Sequence, residues 1–269
     1  MALPLPDGRP PVPAPVALII LAAAGATFFV LPLLGLLLRT PWASAWALLT
    51  SSASMTALRL SLIASLSATA IALLLGVPLA WIYARVRFPG RAVLRALTVL
   101  PMVLPPVVGG VALLLAFGRR GLAGGWLADA VGIHLPFTTA GAIVAETFVA
   151  MPFLVITVEA GLRSMDRRFE DAARTLGARR WTVLWRVTLP LVRPSLVAGA
   201  VLCWARALGE FGATITFAGN FPGRTQTMPL AVYLALETSP ESAIVLSLVL
   251  LVVSLAVLIG LRDRWLGAS

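Results

Sequence analysis

Few residues in this chain can do covalent or acid–base chemistry. It holds 1 histidine, His134, and 1 cysteine, Cys203, and all 21 of its basic residues are arginine. Without lysine there is no P-loop, whose GxxxxGK[ST] pattern places a lysine on nucleotide phosphates. Any ATP that drives this chain's work is therefore hydrolysed by another polypeptide. A single cysteine excludes an internal disulfide and a thiolate metal cluster. A single histidine, in a loop beside Gly132 and Pro136, excludes paired-histidine catalysis and His-rich metal sites. No metal site is expected. Carboxylates and guanidinium groups remain. Glu146 and Glu159 lie thirteen positions apart on different faces of one apolar run. They do not supply the facing nucleophile and base that an intramembrane enzyme needs. Arg206 and Glu210 are one helical turn apart and can pair, with Gly209 and Gly212 flanking the glutamate. The pair reads either as structural or as a charge that steers an anion. The chain is expected not to be an enzyme.

Charge concentrates instead in one stretch, Asp166 to Pro190, DRRFEDAARTLGARRWTVLWRVTLP. Phe169, Ala172, Ala173 and Leu176 fall at i, i+3, i+4 and i+7, one face of a short helix. Ser164 or Asp166 can cap its start, and Gly177 can end it in a left-handed turn. Arg167, Arg168, Glu170, Asp171 and Arg174 occupy the other faces. A polar helix with a stripe of small residues suits docking into another protein; the plainer reading is a solvated connector.

The elements that position this stretch are apolar. Hydrophobic residues make up 59% of the chain and charged residues 12%, against about 25% charged in soluble domains. This predicts an all-α, polytopic membrane protein of one domain, residues 16–262, behind a Pro-rich disordered segment, residues 1–15. With about 20 residues needed to cross a bilayer, six spans are expected near residues 16–38, 60–84, 96–117, 139–158, 190–208 and 243–261. The first is read as a retained span rather than a cleaved signal, because the apolar run continues past its small residues. The third holds Pro101, Pro105, Pro106, Gly109 and Gly110 and cannot form a straight helix. It reads as a pathway liner or as a kinked packing helix. The fourth carries Glu146; an acid in a span usually faces the bundle interior, and this one reads as lining a pathway, as protonated, or as hydrogen-bonded to a neighbouring helix. Residues 118–137 read as a Gly-rich loop with a short interfacial helix around Trp126. Residues 211–241 read as a second long loop, with turn signals at Gly219-Asn220, Pro222-Gly223 and Pro240. Within it, residues 228–237 suggest a short amphipathic helix. Trp265 is read as an interface anchor.

Placing residues 163–189 in the cytoplasm puts fifteen of the twenty-one arginines on that side. The asymmetry predicts six spans with both termini cytoplasmic. The net charge of +10 is then a matter of orientation in the lipid bilayer, not of nucleic acid.

Asp171-Ala172-Ala173, then Gly177, Val187, Leu189 and Pro190, resembles the EAA loop of binding-protein-dependent ABC importer permeases. That pattern is EAA, three residues, Gly, nine residues, Ile, one residue, Leu-Pro. The spacing here fits throughout, with Asp for Glu and Val for Ile; Glu170 next door could share the acidic role. Residues 205–237, ARALGEFGATITFAGNFPGRTQTMPLAVYLALE, resemble molybdate permease subunits of the ModB type. Sulfate permeases share the ARALGEFG portion, and tungstate permeases are close relatives.

The resemblance implies a type I ABC importer transmembrane-domain fold in a bacterial or archaeal cytoplasmic membrane. It implies pairing with a second copy of the chain, two ATP-binding cassette subunits beneath, and an extracytoplasmic protein that delivers the oxyanion. ATP and magnesium would be bound by the ATPase, and this chain would hold no cofactor. Residues 163–189 would form the coupling loop, with Glu170, Asp171, Ala172, Ala173, Gly177, Leu189 and Pro190 at or near the ATPase contact. Pathway candidates are Pro105 and Gly109 in the broken span, Glu146, Arg206 and Glu210, and, as the polar donors an anion path needs, Thr214, Thr216, Asn220 and Thr225 near the outer mouth. The alternatives are a permease for sulfate or another oxyanion, and a channel that needs no ATPase.

Overall fold

A computed structural model describes the backbone of residues 15–265 and the side chains of residues 15–260. The expected disordered segment therefore lies outside the described residues but for Pro15, as does the side chain of Trp265. Among the described residues the secondary structure is entirely helical. In order come α1 (Val16–Leu38), α2 (Trp42–Leu49), α3 (Ser52–Arg85) and α4 (Arg91–Val99), which runs into a 3-10 turn at Leu100–Met102. Then follow α5 (Pro106–Phe117), α6 (Gly124–Val131), α7 (Thr139–Ser164) and α8 (Arg168–Thr175). The rest are α9 (Arg180–Val183), a π turn at Leu184–Thr188, α10 (Leu189–Leu191), α11 (Arg193–Leu208), α12 (Gly212–Ala218), α13 (Met228–Thr238) and α14 (Pro240–Trp265).

Four helices are long and apolar enough to cross a membrane unaided: α1, α3, α7 and the Pro240–Gly260 part of α14. Two bent pairs supply the other spans. Arg91–Met102 meets Pro106–Phe117 at 119°, and Arg180–Leu191 meets Arg193–Leu208 at 71°. Counting each pair once gives six. The first bend falls where Pro101, Pro105 and Pro106 remove amide donors and fix φ, so the third span is broken rather than curved.

The core is the packing of α3, α7 and α11. The buried positions along α3 include Ala57, Ser61, Ala64, Ser65, Ala68, Ala72, Gly76 and Ala80, a stripe of small residues at helical spacing that leads to the buried Tyr83. It packs with Ala150, Leu154, Val155 and Val158 of α7. Lipid tails are as apolar as leucine, so burial from water does not drive these helices together; small side chains let their backbones approach and gain dispersion contacts. The indole N–H of Trp204 on α11 donates to Ser65 Oγ at 3.0 Å, tying the third helix to the stripe. By contrast α1 has no buried residue and presents apolar side chains all round, as a lipid-facing helix must.

Helix α3 begins at Ser52, ahead of the span expected from near Leu60, and serines at its start serve as caps. Ser51 Oγ accepts the Ser54 amide at 3.3 Å, and Ser54 Oγ donates to the Leu48 carbonyl at 2.8 Å. The stretch 211–241, expected as a long loop holding a short helix at residues 228–237, is largely helical: α13 falls on the expected helix, and α12 and the start of α14 are added. Its helix starts are held by distant or buried groups. Glu210 Oε1 accepts the Ala213 amide at 2.9 Å, and Ser61 Oγ accepts the Met228 amide at 2.6 Å from the middle of α3.

Candidate functional site

Helix α8 is short, and its ends are built from local chemistry. Asp166 Oδ1 accepts the Arg168 amide at 2.9 Å, satisfying one of the free N–H groups of the first turn. Glu170 and Asp171 sit in the first turn and Arg174 in the last, each favoured by the helix dipole there. Ser164 instead ends α7. At the far end the Gly177 amide donates to the Arg174 carbonyl at 2.9 Å and the Ala178 amide to the Ala173 carbonyl at 3.0 Å. These two bonds form a Schellman stop. Gly177 has φ of +83°, where any side chain with a Cβ is strained.

One exposed side of α8 is apolar. Phe169 is 56% exposed and Leu176 88%, with Ala172 also exposed between them. Beyond the glycine, Trp181 and Trp185 are 71% and 64% exposed. Asp171 is exposed and pairs with Arg174 at 3.0 Å, while Ala173 and Leu189 are half-buried and Pro190 is exposed. Glu170 faces the other way. It is 4% exposed, and its Oε1 accepts from Thr188 Oγ1 at 2.8 Å and from Arg85 Nη2 at 3.3 Å. One carboxylate thereby joins three elements: α8, the end of α3, and the π turn that leads into α11. Sequence reasoning missed Arg85 and Thr188. The only local sign was a threonine beside the Leu-Pro of the motif.

The second cluster lies where α11 breaks into α12. Arg206 Nη1 and Glu210 Oε2 are 2.6 Å apart, the expected i, i+4 pair. The other Glu210 oxygen caps α12, so a side chain 1% exposed is matched on both sides. Helix α12 then runs against α5 and α7. A Cβ built on Gly110 would stand 2.6 Å from Thr216 Cβ and 3.0 Å from the Ala213 carbonyl oxygen. The broken third span and the helix after the fifth are therefore in backbone contact. Gly109 is buried against Phe148 of α7, while Pro105, at the bend itself, is exposed.

The other pathway candidates divide by what their polar atoms do. Thr216 donates to the Gly212 carbonyl at 2.8 Å. Thr225 accepts the Phe221 amide at 2.9 Å and donates to the Gly219 carbonyl at 3.2 Å. Both hydroxyls are spent on backbone. Glu146 Oε2, Thr214 Oγ1 and Asn220 Oδ1 are buried with no hydrogen-bond partner, and unpaired buried polar atoms call for an explanation. Gln226 Nε2 and Thr227 Oγ1 share that state. Sequence reasoning named Thr225 but passed over Gln226 and Thr227, although three polar residues directly before an apolar helix were a visible signal.

A membrane bundle with a detached polar helix on one side and broken spans inside it belongs to a defined class. Residues 72–268 match the model of the binding-protein-dependent transport system inner membrane component, and the chain belongs to that family. Among curated relatives it is 49% identical to the molybdenum transport system permease protein ModB of Mycobacterium tuberculosis over 258 residues, 95% of this chain and 97% of that one. It is 43% identical to the ModB of Escherichia coli over 211 residues, 78% of this chain and 92% of the other. It is 38% identical to the sulfate transport system permease protein CysT of Escherichia coli over 222 residues, covering 82% and 80%. In fold it is similar to a chain of a bacterial alginate ABC transporter solved with a pentasaccharide-bound periplasmic protein. There the TM-score is 0.70 at 17% identity, over 94% of this chain and 95% of that one.

Proposed function

We propose that this chain is the membrane-spanning subunit of an ATP-driven importer of molybdate or tungstate. The observation that carries the reading is the identity of 49% to a molybdenum permease across nearly the whole of both chains. On this reading two copies pair, two ATPase subunits sit beneath, and a separate protein delivers the anion. Helix α8 is the lever. Its exposed Phe169, Ala172 and Leu176 seat in the ATPase, and Asp171 rims the contact. ATP binding draws the two ATPase subunits together, and a rigid element keyed into each turns that movement into rocking of the spans. Glu170 carries the motion inward, because its carboxylate binds α8 to α3 and to the segment entering α11.

The cargo meets no strong site in such a subunit, since tight binding slows release. Polar atoms left unpaired near the α11–α12 elbow, among them Thr214 and Asn220, serve as weak contacts along a wet path. Sulfate is the second reading, favoured by the 38% identity to a sulfate permease.

One experiment separates the two. The chain is reconstituted with its ATPase, and ATP hydrolysis is measured with binding protein loaded with molybdate, tungstate or sulfate. Stimulation by molybdate or tungstate alone is expected. Equal stimulation by sulfate moves the assignment to the second reading, and hydrolysis indifferent to any loaded protein rejects both.

A further inference from the structure

At the end of the bundle that carries α8 lies a basin whose Arg87 and Arg91 neither the lever nor the elbow uses. The turn from α3 to α4 and the last turns of α7 enclose two adjoining cavities, of about 870 and about 520 Å3. Arg87, Arg91 and Arg163 line both; Arg95 lines the larger, and Arg85 and Arg167 the smaller. Among the described residues two carboxylates answer these six guanidinium groups. Glu159 pairs with Arg95 at 2.8 Å and Arg163 at 2.6 Å, and Glu170 pairs with Arg85 at 3.3 Å. Six against two leaves four positive charges in excess. Among the described residues Arg87, Arg91 and Arg167 make no ion pair.

The rest of the larger cavity's wall is apolar. Val93, Ala96 and Val99 of α4, Ile156 of α7 and Phe88 of the turn line it. Helix α4 rises about 1.5 Å per residue, so its wall leads roughly 12 Å away from Arg91 toward the broken middle of the span. A bare oxyanion gains nothing from such a wall. An amphiphile with a negative head gains from both parts. Arginine also suits phosphate in particular, through its paired donors.

We propose that this basin binds the phosphate headgroup of an anionic membrane phospholipid, held by Arg87 and Arg91 with an acyl chain along Val93, Ala96 and Val99. Basic pockets between spanning helices on the positively charged side of a membrane protein recognise such headgroups. The assignment is independent of which anion the chain transports.

The test uses the full-length chain in mild detergent, titrated with phosphatidylglycerol or phosphatidylcholine and read by native mass spectrometry. Phosphatidylglycerol is expected to bind and phosphatidylcholine not. At about fivefold per arginine near an anionic lipid, the double variant R87A/R91A should bind phosphatidylglycerol roughly thirtyfold more weakly. R87K/R91K keeps the charge without the paired donors and should fall between the two. R119A/R120A, outside the basin, should match the parent chain. Inorganic phosphate and molybdate, added to the unsubstituted chain, should not displace the lipid at equal concentration. Equal binding of the two lipids, indifference to R87A/R91A, or displacement by the free oxyanions would each overturn the proposal. The last result would assign the basin to a free anion, and exclusion of lipid by a second copy of the chain would overturn it as well.

Discussion

Replacing Glu170 tests whether α8 is riveted to the bundle or merely lies against it. In the parent chain its carboxylate meets Arg85, whose side chain is 8% exposed, and Thr188, which is buried. Glu170→Ala leaves Arg85 as a buried charge without its paired acid. Breaking one side of a buried pair destabilises by about 3–5 kcal/mol. Glu170→Gln still accepts from Thr188 and loses only the charge, which is worth about 1–3 kcal/mol. The effect is confined to the seat of α8, because the packing of α3 on α7 does not involve this group. Hydrogen exchange over residues 168–176 reads it directly. A seat weakened by about 3 kcal/mol opens roughly a hundredfold more often. The alanine variant should therefore exchange about two orders of magnitude faster there and the glutamine variant about one. Exchange in α7 should stay unchanged. Coupled uptake should fall with the seat, while ATP hydrolysis continues. A double variant, Glu170→Leu with Arg85→Met, replaces both partners by apolar side chains and should recover most of the protection. Parent-like exchange and uptake in Glu170→Ala would refute the rivet, and failure of the double variant to recover would show that the charge pair is not its basis.

Two further outcomes follow from the same geometry. Gly177→Val forces a β-branched residue into the left-handed region, costing about 1–2 kcal/mol. It should uncouple uptake from ATP hydrolysis while the chain still inserts in the membrane, and normal ATP-driven uptake would contradict the lever role of α8. Arg206→Met strands the buried Glu210 carboxylate and should destabilise by about 3–5 kcal/mol, seen as a lower unfolding temperature in detergent. Adding Glu210→Gln to that variant should restore much of the loss. An unchanged unfolding temperature in Arg206→Met would mean the elbow is not held by this pair.

What could be read from the sequence was what depends on neighbours in the chain. Gly177 ends α8 through amides and carbonyls within five residues of it. The Arg206–Glu210 pair spans one turn. The break in the third span follows from three prolines, whatever packs around them. Span lengths follow from hydropathy, which needs no partner either. The early start of α3 and the helix α12 within the expected loop have a common cause. Their caps come from polar residues that hydropathy treats as breaks, and Ser61 reaches the Met228 amide across 167 positions.

The same distinction explains why the inward turn of Glu170 was not legible in the sequence. Beside Asp171 in an amphipathic pattern, the two acids look interchangeable. They are separated by partners that lie 18 and 85 residues away, Thr188 and Arg85. Desolvating a carboxylate is unfavourable wherever it is not matched, so the acid that turns inward is the one whose partners have been brought to it by the packing of α3 against α7. Burial of Glu170 is therefore a consequence of the tertiary fold rather than of local preference. A lever needs one face free to meet a motor and one group fixed to what it moves. Adjacent acids on a short helix meet both needs, because a single step along the helix turns the side chain by about 100°.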